Sequence, residues 1–369
     1  MTDYIYVDSD DALYDMVDDY ADATVIGIDT EFARFNTYYP ILGLMQLSDG
    51  EQCHLIDPLN VGDWTPVMDL FEDRRVTKLL HACSEDLEVF THRFGLLPEP
   101  LFDTQVAAAV CGQGFSLGYQ ALVEKNLGIH VPKEETRSDW LARPLSDAQL
   151  TYAALDVLHL PDIYALQQAQ LASSGREQWV TEECDVLVGA SSIGVAPDAT
   201  YLRVKNAWKL SALEQTVLRE LCAYRERTAR SHDVPRSWIA SDSVLAAMSR
   251  TDGLDHSGLA ELGVRPRELR RYGDALIDCA AAARRVPTDE WAEPLERPTP
   301  PDSGPLMKVL KQVVDGQADH LNVAPELLAR KRHLEALLRS GAQGDYELPE
   351  ALAGWRREVI GDHLLAALT

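Results

Sequence analysis

The 369-residue sequence contains no run of about 18 uncharged apolar residues of the kind that crosses a bilayer. Its first twenty residues, MTDYIYVDSDDALYDMVDDY, are acidic where an export signal would be basic and then apolar. Membrane insertion and secretion are not expected, and the protein is expected in the cytoplasm. The six cysteines, Cys53, Cys83, Cys111, Cys184, Cys222 and Cys279, form no C-x-x-C pair and no Cys/His cluster of zinc-site spacing, so they read as reduced thiols. Aromatic residues make up only 7%, but an apolar fraction of 46% is ordinary for folded chains and gives no sign of disorder. Basic residues are scarce, with 34 Lys and Arg against 59 Asp and Glu for a net charge of −25. That balance argues at first against nucleic acid, whose partners neutralise phosphates with cations.

The distribution of charge changes this reading. Residues 1–200 hold 10 basic and 34 acidic side chains, residues 201–285 hold 15 and 11, and residues 286–369 hold 9 and 14. Only the middle segment has a basic excess, which includes Arg219, Arg225, Arg227, Arg230 and Arg236. These are the candidate nucleic-acid contacts, although helix faces commonly carry such cations in local ion pairs. Capture of a structured polyanion is expected to depend on this segment.

The length suggests roughly two or three domains. In the first part, strand-like runs at 24–29 (TVIGID), 42–48, 52–56 and 76–81 alternate with helical patterns at 9–21, 64–73, 84–94, 103–111, 116–127 and 146–172, the signature of an α/β domain. Ser146 and Gln149 form a capping box at the start of the last helix. From about residue 200 the pattern is helical throughout. The Pro-rich stretch 286–305 reads as a linker. The expected division is therefore an α/β domain at 1–175, a connector at 176–208, helical domains at 209–285 and 306–369, and the linker between those two. The segments 233–239 (DVPRSWI) and 321–327 (LNVAPEL) each join one amphipathic helix to another, as in diverged copies of one unit.

Four carboxylates carry the chemistry. TVIGID is expected to end in Asp29-Thr30-Glu31, and residues i and i+2 of an extended chain share a face, so two acids project together from a strand end where α/β sheets bind ligands. Asp86 follows a second strand in HACSEDLEVF, where Ser84 can cap a helix. Tyr152 and Asp156 lie one turn apart on a largely apolar helix, so the acid should be withdrawn from water and in need of a cation or hydrogen bonds. Taken singly, each feature also fits a solvated strand end, a favourable helix-dipole contact or a chance helical pair. Together they offer oxygen ligands without His or Cys, which suits Mg²⁺ or Mn²⁺. Two such ions about 4 Å apart serve phosphodiester hydrolysis.

The motifs D-T-E-F at 29–32, H-A-C-S-E-D-L at 81–87 and Y-A-A-L-D at 152–156 resemble the three exonuclease motifs of the DEDD superfamily. Tyr152 marks the DEDDy branch; the DEDDh branch would carry His at position 151, which is Thr151. The segments 37–47, 102–108 and 137–160 further resemble the ribonuclease D family, and 209–285 resembles an HRDC domain in which Tyr224 stands where Trp is frequent. Residues 306–369 look like a divergent second copy. The resemblance implies a ribonuclease H-like mixed sheet flanked by helices, followed by two all-α HRDC-like domains. It implies two divalent metal ions, with Asp29 bridging both, Glu31 and Asp156 completing the first site, and Asp86 holding the second. Tyr152 would orient the attacking water, nucleoside 5′-monophosphates would leave from the 3′ end, and His81 would be structural or touch substrate. The implied partner is an RNA with a free 3′ end, such as a tRNA precursor, met by a monomer. Two alternatives stand beside this: a DNA 3′→5′ exonuclease of the same superfamily, since the motifs cannot read a 2′-OH, and a non-catalytic RNA-binding protein.

Overall fold

A computed structural model describes residues 3–132, 138–297, 302–341 and 344–368; Arg137 and the 298–301 part of the Pro-rich stretch lie outside the described residues. The chain forms two compact units, one of Met1–Ala33, Pro40–Ile193 and Thr299–Thr369, the other of Arg34–Tyr39 and Gly194–Pro298. The strands are β1 (Ile5–Val7), β2 (Val25–Ala33), β3 (Ile41–Ser48), β4 (Cys53–Ile56), β5 (Thr77–Leu80) and β6 (Leu101–Asp103). The helices of the first part are α1 (Asp10–Asp19), α2 (Thr65–Glu72), α3 (Ser84–Phe94), α4 (Thr104–Val110), α5 (Tyr119–Leu127), α6 (Asp147–Leu158), α7 (Leu160–Ser174) and α8 (Glu177–Ile193). Then come α9 (Ala212–His232), α10 (Asp242–Arg250), α11 (His256–Glu261), α12 (Pro266–Ala283), α13 (Gly304–Leu321), α14 (Pro325–Leu328), α15 (Lys331–Ser340) and α16 (Asp362–Ala366).

The first unit is a mixed sheet in the order β1-β4-β3-β2-β5-β6, antiparallel at β2–β3 and β3–β4 and parallel elsewhere. Side chains alternate across it. Ile26, Ile28, Met45 and Leu47 enter one core with Leu13, Phe71 and Phe90 from α1–α3. Leu44, Leu55 and Leu79 enter the other with Ala107, Ala153 and Val157 from α4 and α6. β2 does not end at Asp29, as the sequence suggested, but runs to Ala33, because β3 pairs with it from Gly27↔Ser48 to Ala33↔Ile41. Its parallel neighbour β5 pairs only as far as Gly27↔Leu79, so the far half of β2 has an edge that β5 does not cover.

The helix expected at 146–172 is two helices. Pro161 has no N–H to give to the carbonyl of Val157, and the chain breaks at His159 between α6 and α7. This break lies directly on the sheet: a Cβ at Gly27 would stand 2.9 Å from the Val157 carbonyl oxygen and 3.0 Å from Leu160. Only glycine lets α6 approach β2 so closely. The capping box of Ser146 and Gln149 is present. Strands β1 and β6, three residues each, were not anticipated.

Helices α13–α16 belong to the first unit, where Leu310, Val314, Leu327, Leu337 and Leu364 share one hydrophobic core with Ala107–Val110, Leu122 and Val157. In the second unit α9–α12 enclose Leu218, Leu221, Leu245 and Leu276. The two suspected copies have the same local geometry: α9 ends on Asp233 and α13 on Asn322, both left-handed (φ +46° and +53°), and each leads into a short helical turn. Part of the Pro-rich stretch packs back on α9, with the amides of Ala292 and Leu295 donating to Thr216 and Gln215.

The second unit also takes in the strap Arg34–Tyr39 between β2 and β3. Both Tyr38 and Tyr39 amides donate to the Asp233 carboxylate (2.9 and 3.0 Å). The Tyr38 hydroxyl and the guanidinium groups of Arg230 and Arg236 all donate to Glu226, whose side chain is fully buried. Burial alone would raise the Glu226 pKa, but the hydrogen bonds from Arg236 and Tyr38 outweigh it and hold the carboxyl near about 2. A carboxyl depressed by folding stabilises above its ordinary value and loses that contribution as pH falls through the depressed one. Glu226→Ala is therefore expected to cost the second unit about 2 kcal/mol at neutral pH. Urea melts should show the difference shrinking between pH 4.5 and pH 2; a difference independent of pH would assign the loss to packing.

Candidate active site

Alternation along β2 sends Asp29 and Glu31 to the face covered by α6 and Thr30 to the face covered by α3. α6 answers with Asp156, and carboxylate oxygens of Asp29, Glu31 and Asp156 all lie within 4.8 Å of one another. On the other face the Thr30 hydroxyl donates to Asp86 at 2.5 Å. Asp86 lines the same cavity of about 290 Å³, together with Phe32, His81, Glu85, Tyr119, Gln120 and Tyr152. The structure thus brings three of the expected acids into one cluster and hangs the fourth beside it through Thr30, a residue the sequence reading passed over.

The approach to Asp86 differs from expectation. Ser84 is the first residue of α3 rather than its cap, and no side chain on the N-cap residue Cys83 serves the helix. Instead the buried Asp103 accepts from the amides of Ala82 and Cys83 (3.3 and 2.9 Å) and also from Gln105 and Val106 at the start of α4. One carboxylate thereby fixes the starts of two helices. The sequence offered it only within the segment 102–108 that resembles the ribonuclease D family, with no role attached.

The electrostatics are those of acids crowded away from water. Asp29 is pushed well above the usual carboxylate range by burial and then by Asp86, Asp156 and Glu31. Glu31 rises to about 9 through burial and the charges of Asp156 and Asp86. Asp86 and Asp156 each rise to about 7, chiefly by burial. Tyr152 is held protonated by burial and by its interaction with Asp156. One Asp156 oxygen, Oδ1, is buried without a hydrogen-bond partner among the described residues. An orphaned carboxylate oxygen among three converging acids, with no nitrogen or sulfur donor in the cluster, fits a hard divalent cation.

His81 has both ring nitrogens engaged, Nδ1 with the Thr104 hydroxyl (2.9 Å) and Nε2 with the Leu117 carbonyl (3.0 Å). A carbonyl can only accept, so Nε2 carries the proton, and burial lowers the imidazole pKa. Of the candidate arginines in the second unit, Arg225 is buried and donates to Ala240 and Asp242. Arg230 and Arg236 serve Glu226, and Arg219 serves Glu220 and the Glu290 carbonyl. Arg227 is exposed.

Residues 4–171 match the family model described as 3′-5′ exonuclease, 214–279 that of the HRDC domain, and 301–364 that of the ribonuclease D C-terminal HRDC domain. The chain is 47% identical to the ribonuclease D of Pseudomonas paraeruginosa over 93% of its own length and 92% of that protein's. The chain belongs to the ribonuclease D family. To the Escherichia coli family member it is 36% identical over 98% and 97% of the two chains. The crystal structure of that ribonuclease D, described as an exoribonuclease involved in structured RNA processing, superposes with a TM-score of 0.92 over 99% of this chain and 98% of that one. The chain is thus a 3′→5′ exoribonuclease of the ribonuclease D type, with a mixed-sheet exonuclease domain followed by HRDC helical domains. Among the described residues no helix is long and apolar enough to cross a membrane.

Proposed function

We propose that this ribonuclease D-type enzyme trims the 3′ ends of small structured RNAs, tRNA precursors among them, as a monomer in the cytoplasm. The six cysteines, all free, are in keeping with that compartment. The observation that carries the catalytic reading is the convergence of Asp29, Glu31 and Asp156 with the unpartnered Oδ1 of Asp156 at the wall of an open cavity.

Asp29, Glu31 and Asp156, with Asp86 on the same cavity, would hold the two divalent ions, Mg²⁺ or Mn²⁺. Bound there, such ions supply charge to acidify water and to steady the phosphate and the departing 3′ oxygen. A water oxygen forms the new bond to the terminal phosphorus, the P–O3′ bond breaks, and the leaving oxygen takes up a proton. The products are a nucleoside 5′-monophosphate and an RNA one residue shorter. Thr30 fixes the Asp86 carboxylate by its hydrogen bond. Tyr152, protonated and one turn before Asp156, orients the attacking water rather than removing its proton.

Incubation of the protein with a 5′-labelled, 3′-extended tRNA precursor and a matched DNA oligomer, with and without Mg²⁺, tests the whole reading. Stepwise shortening from the 3′ end, 5′-monophosphate products, metal dependence and preference for RNA are expected. Internal fragments, 3′-monophosphates or a preference for DNA would refute it.

A further inference from the structure

The loop Gly112–Gly118 stands between the acid pocket and the C-terminal helices. At its far end the Leu117 carbonyl accepts from His81 Nε2 and from Gln105 (3.0 and 3.1 Å), and the chain passes straight into Tyr119 and Gln120, which with His81 line the pocket. At its near end a Cβ on Gly112 would stand 2.2 Å from the Asn322 carbonyl oxygen. Arg176 ties the same two segments by donating to both the Val110 and the Leu321 carbonyls (3.1 and 2.9 Å). Between these ends the Arg330 guanidinium lies 5.2 Å from the centre of the Phe115 ring.

Arg330 is oddly placed. It caps α15, followed by Lys331 and Arg332, so three cations gather at the positive end of a helix dipole where they are disfavoured. Lys331 pairs with Glu335 and Arg332 rests against the His333 imidazole, whereas Arg330 has the face of Phe115.

We propose that Arg330 is a positioning residue for the exonuclease reaction: through Phe115 it holds the loop Gly112–Gly118, and with it His81, Tyr119 and Gln120, in the shape the chemical step requires. The C-terminal helices are then part of the pocket's frame. This rests on the acid pocket being the exonuclease site.

The test uses the full chain with Arg330→Ala, Phe115→Ala, the double variant, Arg330→Lys and, as a neighbouring control, Lys331→Ala. Each is assayed on a trinucleotide and on a tRNA precursor, with RNA affinity measured separately in an Asp29→Asn background. Arg330→Ala and Phe115→Ala are each expected to lower kcat about 10-fold on both substrates, since small misplacements of a site cost this much or more. RNA affinity should be unchanged, the double variant no worse than either single one, Arg330→Lys largely restored, and Lys331→Ala normal. Unaltered kcat for Arg330→Ala overturns the proposal. So does a loss confined to the affinity for long RNA and shared by Lys331→Ala, which would make the cluster a phosphate contact. If Asp29→Asn itself remains active, the pocket reading fails instead.

Discussion

Asp29→Asn is expected to leave the fold intact and reduce kcat by roughly 10³-fold or more. Asp29 sits at the centre of the acids, its carboxyl raised first by burial and then by Asp86, Asp156 and Glu31. Without divalent cations that crowding opposes folding, because each charge is disfavoured by burial and by its neighbours. The variant should therefore melt at the same temperature as the wild type or higher in chelator. With a divalent cation at a hundredfold excess over its dissociation constant, the wild type gains about 2.7 kcal/mol and the variant far less. Asp156→Ala should behave alike, since it removes the buried oxygen that has no partner among the described residues. Substantial turnover by either variant would remove these residues from the reaction.

Tyr152→Phe is expected to bind RNA as the wild type does and to lose roughly 10²-fold in kcat. The phenol is half-buried beside Asp156 and Glu31, and this burial, followed by the charge of Asp156 and then of Glu31, keeps it protonated. If it orients water, the wild type and the variant share one pH–rate shape between pH 6 and 9, differing only in height. A limb present in the wild type and absent from Tyr152→Phe would show a titrating phenol acting as a base. His81→Ala serves as the contrast: with both ring nitrogens bonded inside the protein, it should act by loosening the Leu117 segment rather than by removing a proton carrier.

Much of the site was legible because it obeys short-range geometry. Alternation along an extended chain predicts that Asp29 and Glu31 share a face, and helical spacing predicts that Tyr152 and Asp156 do. What could not be read depends on partners distant in sequence. Thr30 looked like a spacer until α3 placed Asp86 against its hydroxyl. Asp103 stood only at the start of the helix expected at 103–111, yet its carboxylate serves the starts of two helices. Pro161 was visible in the sequence, yet the apolar pattern on both sides of it suggested one helix where there are two. The basic excess of 201–285 was counted correctly, but counting does not say where charge goes. Arg225, Arg230 and Arg236 are engaged within the second unit, with Asp242, Glu226 and Tyr38. Nor did composition reveal that α13–α16, set off by a Pro-rich stretch, would share a core with the sheet.

That shared core shapes how a ribosome must deliver this enzyme. The helices that carry Ala107–Val110 and Leu122 emerge early, yet Leu310, Val314, Leu327 and Leu337, which close over them, follow only after the whole second unit has been made. From Ser174 to Gly304 translation takes on the order of ten seconds, during which an apolar face of the nascent exonuclease lies open to chaperones and to other chains. Over the same interval Gly112 and Phe115 have neither Asn322 nor Arg330 to rest on. A nuclease made in this order stays unfinished while it is still attached to the RNA-rich machine that produces it.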